Sequence, residues 1–205
     1  MLYWAKLTQA FLSQFLYSSR YNTPMGVNKP LEHEKKENLA KAQGTTYALA
    51  LDEMKTEDIH AKVEIEDYIL SVACEDAEGM YMYNSQGKLH WMVPDKKDNQ
   101  HFEVVVQDKD DKRFIPGLDV KAQLLNEDKK VIADMKVPFI WHPFLFHYGT
   151  NCSIPKKGKY FAVVTVRKPA FHRHDETFGK RYENDVNVTL GPITLTPGRK
   201  EHGEE

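Results

Sequence analysis

From about Ala61 onward, apolar and polar positions follow the two-residue period of extended strands. Asp67 to Cys74 is rich in β-branched and aromatic residues and predicts one strand, and His101-Phe102-Glu103-Val104-Val105-Val106 predicts another. Leu118 to Leu125 alternates, turns at Asn126-Glu127-Asp128-Lys129-Lys130, and returns from Val131 to Phe139 as the second arm of a hairpin. Tyr160 to Arg167 follows the turn-forming run Pro155-Lys156-Lys157-Gly158, while Val186 to Leu190 and Ile193 to Thr196 flank Gly191-Pro192. About seven short strands with no helix between them predict a mainly β fold, an antiparallel sandwich of immunoglobulin-like plan.

Before Ala61 the pattern is different. Met1 to Tyr17 is apolar-rich but interrupted by Gln9, Ser13 and Gln14; wound as a helix, it gathers Trp4, Leu7, Phe11, Phe15 and Leu16 on one face. Such a face suits docking on the chain's own domain or on a dimer partner. A degenerate export signal is the other reading, although no small-residue cleavage site follows. No stretch reaches the roughly 18 apolar residues that a membrane-spanning helix needs. Tyr21 to Pro30 reads as a linker, Leu31 to Ala42 as a helix, and Thr45 to Lys55 as a second helix capped by Thr45 or Thr46. The expected organisation is a helical arm and linker over residues 1–60, the sandwich over 61–198, and a charged tail over 199–205.

Charge narrows the classes of function. Lys and Arg total 28 against 30 Asp and Glu, for a net charge of −2 over 205 residues, with the two signs interspersed. No basic stripe exists to neutralise a run of phosphates, so nucleic acid is not an expected partner. Cys74 and Cys152 are too few for an all-thiolate zinc site; one disulfide and two buried thiols both stay open.

The unusual chemistry lies in the histidines. Four of nine fall in Trp141-His142-Pro143-Phe144-Leu145-Phe146-His147-Tyr148-Gly149 and Phe171-His172-Arg173-His174-Asp175, and His90 sits upstream in Leu89-His90-Trp91. Pro143 cannot donate to a strand ladder, so it is expected to end a strand after His142 and send the chain through a loop that returns at His147. In an extended segment His172 and His174 share one side and Arg173 takes the other. Asp175 and Tyr148 are suited to hold imidazole tautomers and orientations. A single histidine among aromatics is usually a packing residue; two close pairs point instead to a small transition-metal site. His33, His60 and His202 lie in polar context and His101 opens a strand, so these four carry no expected role. Glu78, Gly79, Met80 and Met82 form a second cluster, with the Glu and both Met on one strand face. Thioether with imidazole favours copper, and carboxylate with imidazole suits iron, manganese or zinc.

Taken together, His147-Tyr148-Gly149-Thr150-Asn151, Arg173-His174-Asp175 and the Glu78–Met80 strand resemble the bacterial periplasmic iron-uptake proteins that bind copper in an immunoglobulin-like sandwich and accompany iron permeases. The resemblance runs from about Asp67 to Pro197. It implies metal ligands at His147 and His174, with Glu78 and Met80 as the early-strand element. The family's methionine, seven residues before the His-Tyr-Gly histidine, falls on Ile140, which cannot ligate. His142, on the same face two residues along, is the expected substitute, a change that moves the site from Cu(I) toward Cu(II), iron or zinc. The expected metal set is therefore His142, His147, His174, Met80 and Glu78, with Met82, Tyr148, His172, Arg173, Asp175 and His90 at its periphery. The resemblance also implies a homodimer outside the cytoplasm that serves iron acquisition beside a permease. Two other functions use the same residues: a metal-dependent oxidase or hydrolase, and a metal-free interaction module recognising its partner through Trp141, Phe144, Phe146 and Tyr148.

Overall fold

Two antiparallel sheets pack face to face, as the alternation predicts. The computed structural model describes residues 30–54, 59–143, 145–176 and 179–200. One sheet has the order β1–β2–β5–β9–β8, formed by Ile59–Ile65, Tyr68–Glu75, Gln100–Asp108, Phe146–Cys152 and Phe139–Trp141. The other has the order β11–β10–β6–β7, formed by Val186–Leu195, Gly158–Val166, Val120–Leu125 and Val131–Val137. A separate hairpin pairs β3 (Met80–Tyr83) with β4 (Leu89–Met92). This is the expected immunoglobulin-like sandwich.

Every second side chain of β2 and β5 faces the opposite sheet. Tyr68, Leu70, Val72 and Cys74, with Phe102, Val104 and Val106, meet Val120, Ala122 and Leu124 of β6 and Ala162, Val164 and Val166 of β10. Removing this surface from water drives the two sheets together. Cys74 and Cys152 belong to the same core as buried thiols with no disulfide between them, and burial pushes the Cys152 thiol up to about 12. Tyr148 is also buried there. Its hydroxyl donates to the Ile115 carbonyl (2.8 Å) and accepts from the Leu118 amide (3.0 Å).

β5 is unusual for a sandwich strand because all nine of its residues are buried. Its outer face carries His101, Glu103, Val105 and Gln107. Val105 is covered by Leu51, Phe114 and Leu145, with Tyr47 and Phe146 packed against them. Leu51 and Tyr47 come from a helix, α1, spanning Pro30–Met54. The chain divides into Met1–Leu39 and Ala40–Glu205, and these two side chains lie in the larger unit.

The two helices expected on either side of Gly44 are thus one. A Cβ at Gly44 would collide with the Asp111 carbonyl oxygen, so the glycine serves a close approach rather than a break. Thr45 and Thr46 do not cap; their hydroxyls donate back to the carbonyls of Lys41 (2.9 Å) and Ala42 (3.1 Å) within the helix. Likewise the two short segments around Gly191 form one strand, β11. Gly191 has φ +122° and passes so close to β10 that a Cβ would lie 2.9 Å from the Tyr160 carbonyl oxygen, where the pairing shifts register. The amphipathic segment expected at Met1 to Tyr17, the linker from Tyr21, and His202 lie outside the described residues.

Candidate metal centre

Strand parity puts His101 and Glu103 on one face of β5, with Phe102 between them turned into the core. On the neighbouring strand β9, His101 stands opposite Asn151 and Glu103 opposite Gly149, so His147 reaches Glu103 along the diagonal. Gly149 makes this possible. A Cβ there would fall 2.8 Å from Ile140 Cδ1 and 2.9 Å from His101 Nε2, so only glycine leaves the ring its place.

The donor atoms converge. His147 Nε2 lies 3.2 Å and His101 Nε2 3.4 Å from the same oxygen, Glu103 Oε1, and Glu78 Oε1 is 3.7 Å from His101 Nε2. His101, Glu103 and His147 each place one ligand atom within 4.8 Å of the others, and all three are buried. His101 Nε2 and both ring nitrogens of His147 find no hydrogen-bond partner among the described residues. Burying such groups unpaired is costly, whereas donors held by one ion at about 2.0–2.2 Å are themselves roughly 3–3.5 Å apart. The residues therefore fit a transition-metal ion.

Surrounding groups hold the donors in place. His101 Nδ1 is 3.0 Å from Asn151 Oδ1, which fixes Nδ1 as the protonated nitrogen and leaves the Nε2 lone pair facing Glu103. Asn151 in turn donates to the Glu78 carbonyl (2.7 Å). Lys200 pairs with Glu78 Oε2 (2.9 Å) and with Glu75, and backbone bonds from Ala77 to Gly198 and from Lys200 to Ala77 tie the two segments together. Glu75, Glu78 and Glu103 form a second carboxylate group of metal-binding spacing.

Burial works against charge on both imidazoles. At His101 the adjoining Glu103 carboxylate and the charge of Glu78 outweigh it and raise the pKa above the ordinary 6.5. At His147 burial prevails and the pKa falls below 6.5. Burial of Glu103 is in turn outweighed by the two histidines, which hold its carboxyl below the ordinary 4.5. The raised His101 stabilises the fold at low pH and loses that contribution as the pH climbs through its folded value. The lowered His147 does the reverse, costing stability as the pH drops below 6.5. Because a metal must displace the His101 proton, affinity is expected to fall as the pH is lowered through the raised His101 value. An imidazole NMR titration of the metal-free protein should place His101 above and His147 below 6.5; the opposite order would remove this account.

The sequence-predicted residues divide into several groups. His147 and Glu78 are in the cluster. His142 borders it half-buried, its ring centroid 6.4 Å from that of His147. Met80 and Met82 stand on β3 opposite Met92 and His90 of β4. Tyr148 has a different role from the one expected: it points away from His147 into the inter-sheet core, where its hydroxyl is taken up by backbone. Its burial, and the packing of Phe146 against Tyr47 and Phe139, also break up the aromatic patch expected beside exposed Trp141.

His172 and His174 are exposed in a loop rather than an extended strand, with Asp175 half-buried beside them. Arg173 shapes that loop by donating to the carbonyls of Phe171, Arg181 and Tyr182. Arg181 pairs with Asp108 (3.0 Å) and Asp110 (2.8 Å), and Tyr182 binds Asp108 through its hydroxyl and Asp67 through its amide. Asp108 closes β5 at the end away from His101, about 17 Å along the strand from Glu103. Sequence reasoning missed one pair, His101 with Glu103. Its signal was the His-x-Glu spacing inside a strand, which places both donors on one face.

A model of a family described as Fe2+ transport protein matches residues 51–190. The chain belongs to that family. No curated protein matches it significantly. Among solved structures, this Fe2+ transport family member is similar to the as-isolated FetP of uropathogenic Escherichia coli strain F11. The two are 19% identical with a TM-score of 0.54, over 68% of this chain and 95% of FetP. Copper-reconstituted P19 of Campylobacter jejuni is 16% identical with a TM-score of 0.56, over 70% of this chain and 98% of P19. A copper-bound FetP variant gives 18% and 0.55, over 73% and 98%. At these identities the solved structures establish the shared fold.

Proposed function

We propose that this Fe2+ transport family member binds a transition metal, copper or iron, at the His101–Glu103–His147 centre and serves iron acquisition. The observation that carries the reading is the set of buried imidazole nitrogens that lack a hydrogen-bond partner among the described residues, gathered around one carboxylate. Two imidazoles and a carboxylate are borderline donors that suit Cu(II) or Fe(II), and zinc is the natural competitor. Copper held there would supply one-electron chemistry. Asn151 orients His101, Lys200 offsets the charge of Glu75 and Glu78, and His142 supplies a further imidazole at the rim. Expression of the similar FetP in the periplasm supports a place outside the cytoplasm, and membership of the Fe2+ transport family supports work beside a membrane iron permease.

The reading includes a homodimer. The His174 loop is tied to the Asp108 end of β5, and the apolar cover of Val105 lies between that end and Glu103. In the proposed dimer His174 is assigned to the centre of the partner protomer. Mixing His174→Ala with His147→Ala chains is then expected to restore tight metal that neither variant holds alone, because each mixed dimer has one complete centre. Failure to restore it would exclude sharing across the dimer.

The reading itself is tested by reconstituting tag-free protein with Cu(II), Fe(II) and Zn(II) in competition. About one tightly held copper or iron per chain is expected. No retained metal of any kind would overturn it.

A further inference from the structure

The β3–β4 hairpin carries a donor set that the His–Glu centre does not use. Register pairs Met80 with Met92 and Met82 with His90. Directly opposed residues share a face and so do residues two apart, so all four side chains project from the same side. The register is pinned by the turn: Asn84 Oδ1 accepts from the amides of Gln86 and Lys88, each at 2.9 Å, and Gly87 takes φ +71°. On the other face Tyr81 meets Trp91 edge-on at 5.2 Å, and the Trp91 ring lies over Gly79, where a Cβ would come within 2.6 Å. The hairpin is therefore anchored immediately after Glu78.

Three of the chain's seven methionines lie on this one face. Met80 is half-buried, but Met82 and Met92 are not core filler: they are 50% and 43% exposed, whereas Met135 in the inter-sheet core is 8% exposed. Exposed thioethers gain little from burial and invite oxidation, so packing does not explain them. Their Cβ atoms and that of His90 mark out a rectangle of about 5 by 7 Å. A methionine with three rotatable bonds can bring its sulfur from a corner toward the centre of such a rectangle. Soft thioethers with one imidazole select Cu(I) over the harder divalent ions.

We infer that this face is a second metal site, taking one monovalent copper ion through the thioethers of Met80, Met82 and Met92 and the imidazole of His90. It goes beyond the His–Glu centre, and its donors are softer than the imidazole and carboxylate groups gathered there.

The test uses the full chain, Cu(I) under reducing conditions with bicinchoninate as competitor, and Ag(I) as a redox-inert probe. In His147→Ala protein, which lacks a donor of the first centre, one equivalent of Cu(I) or Ag(I) is expected to remain. Met82→Leu/Met92→Leu keeps the apolar volume at two exposed positions, and should weaken that equivalent by more than about 100-fold while Cu(II) uptake at the first centre is unchanged. Methionine methyl resonances of Met80, Met82 and Met92 should shift with Ag(I) in the unsubstituted hairpin. Unaltered Cu(I) and Ag(I) uptake in the double Leu variant would overturn the inference. So would a change in dimer dissociation with uptake unaltered, which would assign the face to pairing of two copies. Loss of all monovalent metal in His147→Ala protein would overturn it as well, whereas failure of Cu(II) uptake alone would count only against the first centre.

Discussion

His101→Ala is expected to remove tight copper or iron as completely as His147→Ala, weakening binding by more than about 100-fold, while the sandwich stays folded. The two residues occupy unlike sequence contexts, His147 in an aromatic-rich segment and His101 at the start of a plain strand, yet their Nε2 atoms meet the same Glu103 oxygen. Removing either leaves a site with one imidazole fewer and a buried carboxylate that has lost a partner. Glu103→Gln keeps the shape but removes the negative charge that balances a cation, and should match the histidine variants in metal loss. Asn151→Ala acts only through the His101 tautomer and its ring orientation, so its effect should be smaller, about 10–100-fold. Elemental analysis after gel filtration, with competitive chelator titration, reads all four. Full metal retention in His101→Ala would move the centre elsewhere.

Gly149→Ala is expected to cost at least about 10-fold in metal affinity with only a modest loss of thermal stability. The added methyl falls inside contact distance of two groups, Ile140 Cδ1 and His101 Nε2. The Ile140 methyl is the free end of a flexible side chain and can rotate away. The His101 ring is held by Asn151, stands over the strand, and must tilt out of line with Glu103. The damage therefore falls on the donor geometry rather than on the core, and a metal-free melt beside a chelator titration separates the two. A variant that binds metal normally would mean that the ring is not confined by this contact.

The strand-rich half of the fold was legible because sandwich strands carry their burial pattern in alternation. Val120 to Leu125 and Tyr160 to Val166 read as strands and pack as such. The continuity of α1 was not legible, since Gly44, Thr45 and Thr46 spell a break to local reasoning; the nearby Asp111 carbonyl that explains the glycine is remote in sequence. For the centre, a dense motif drew attention to His147, and an early carboxylate to Glu78. His101 went unnoticed because a lone histidine among valines looks like filler until the register of β5 against β9 is known. Tyr148 misled for the converse reason. It is adjacent to His147 in sequence, but a strand turns neighbours to opposite faces. By sequence His174 falls in the metal set with His172 beside it, whereas Arg181 and Tyr182 fasten their loop near Asp108.

The scatter of the donors along the chain bears on how the protein matures. Glu78, the His101–Glu103 pair, His147 and the Lys200 that steadies Glu78 come from four separate stretches. They meet only when β5 has been flanked on both sides and the last segment has closed over Ala77. Metal cannot act as an early template for such a centre, unlike the ions that nucleate small zinc domains. A nascent or half-assembled chain lacks the assembled His101–Glu103–His147 centre, so an ion bound there would arrive only after folding. Loading instead becomes a certificate of completed folding.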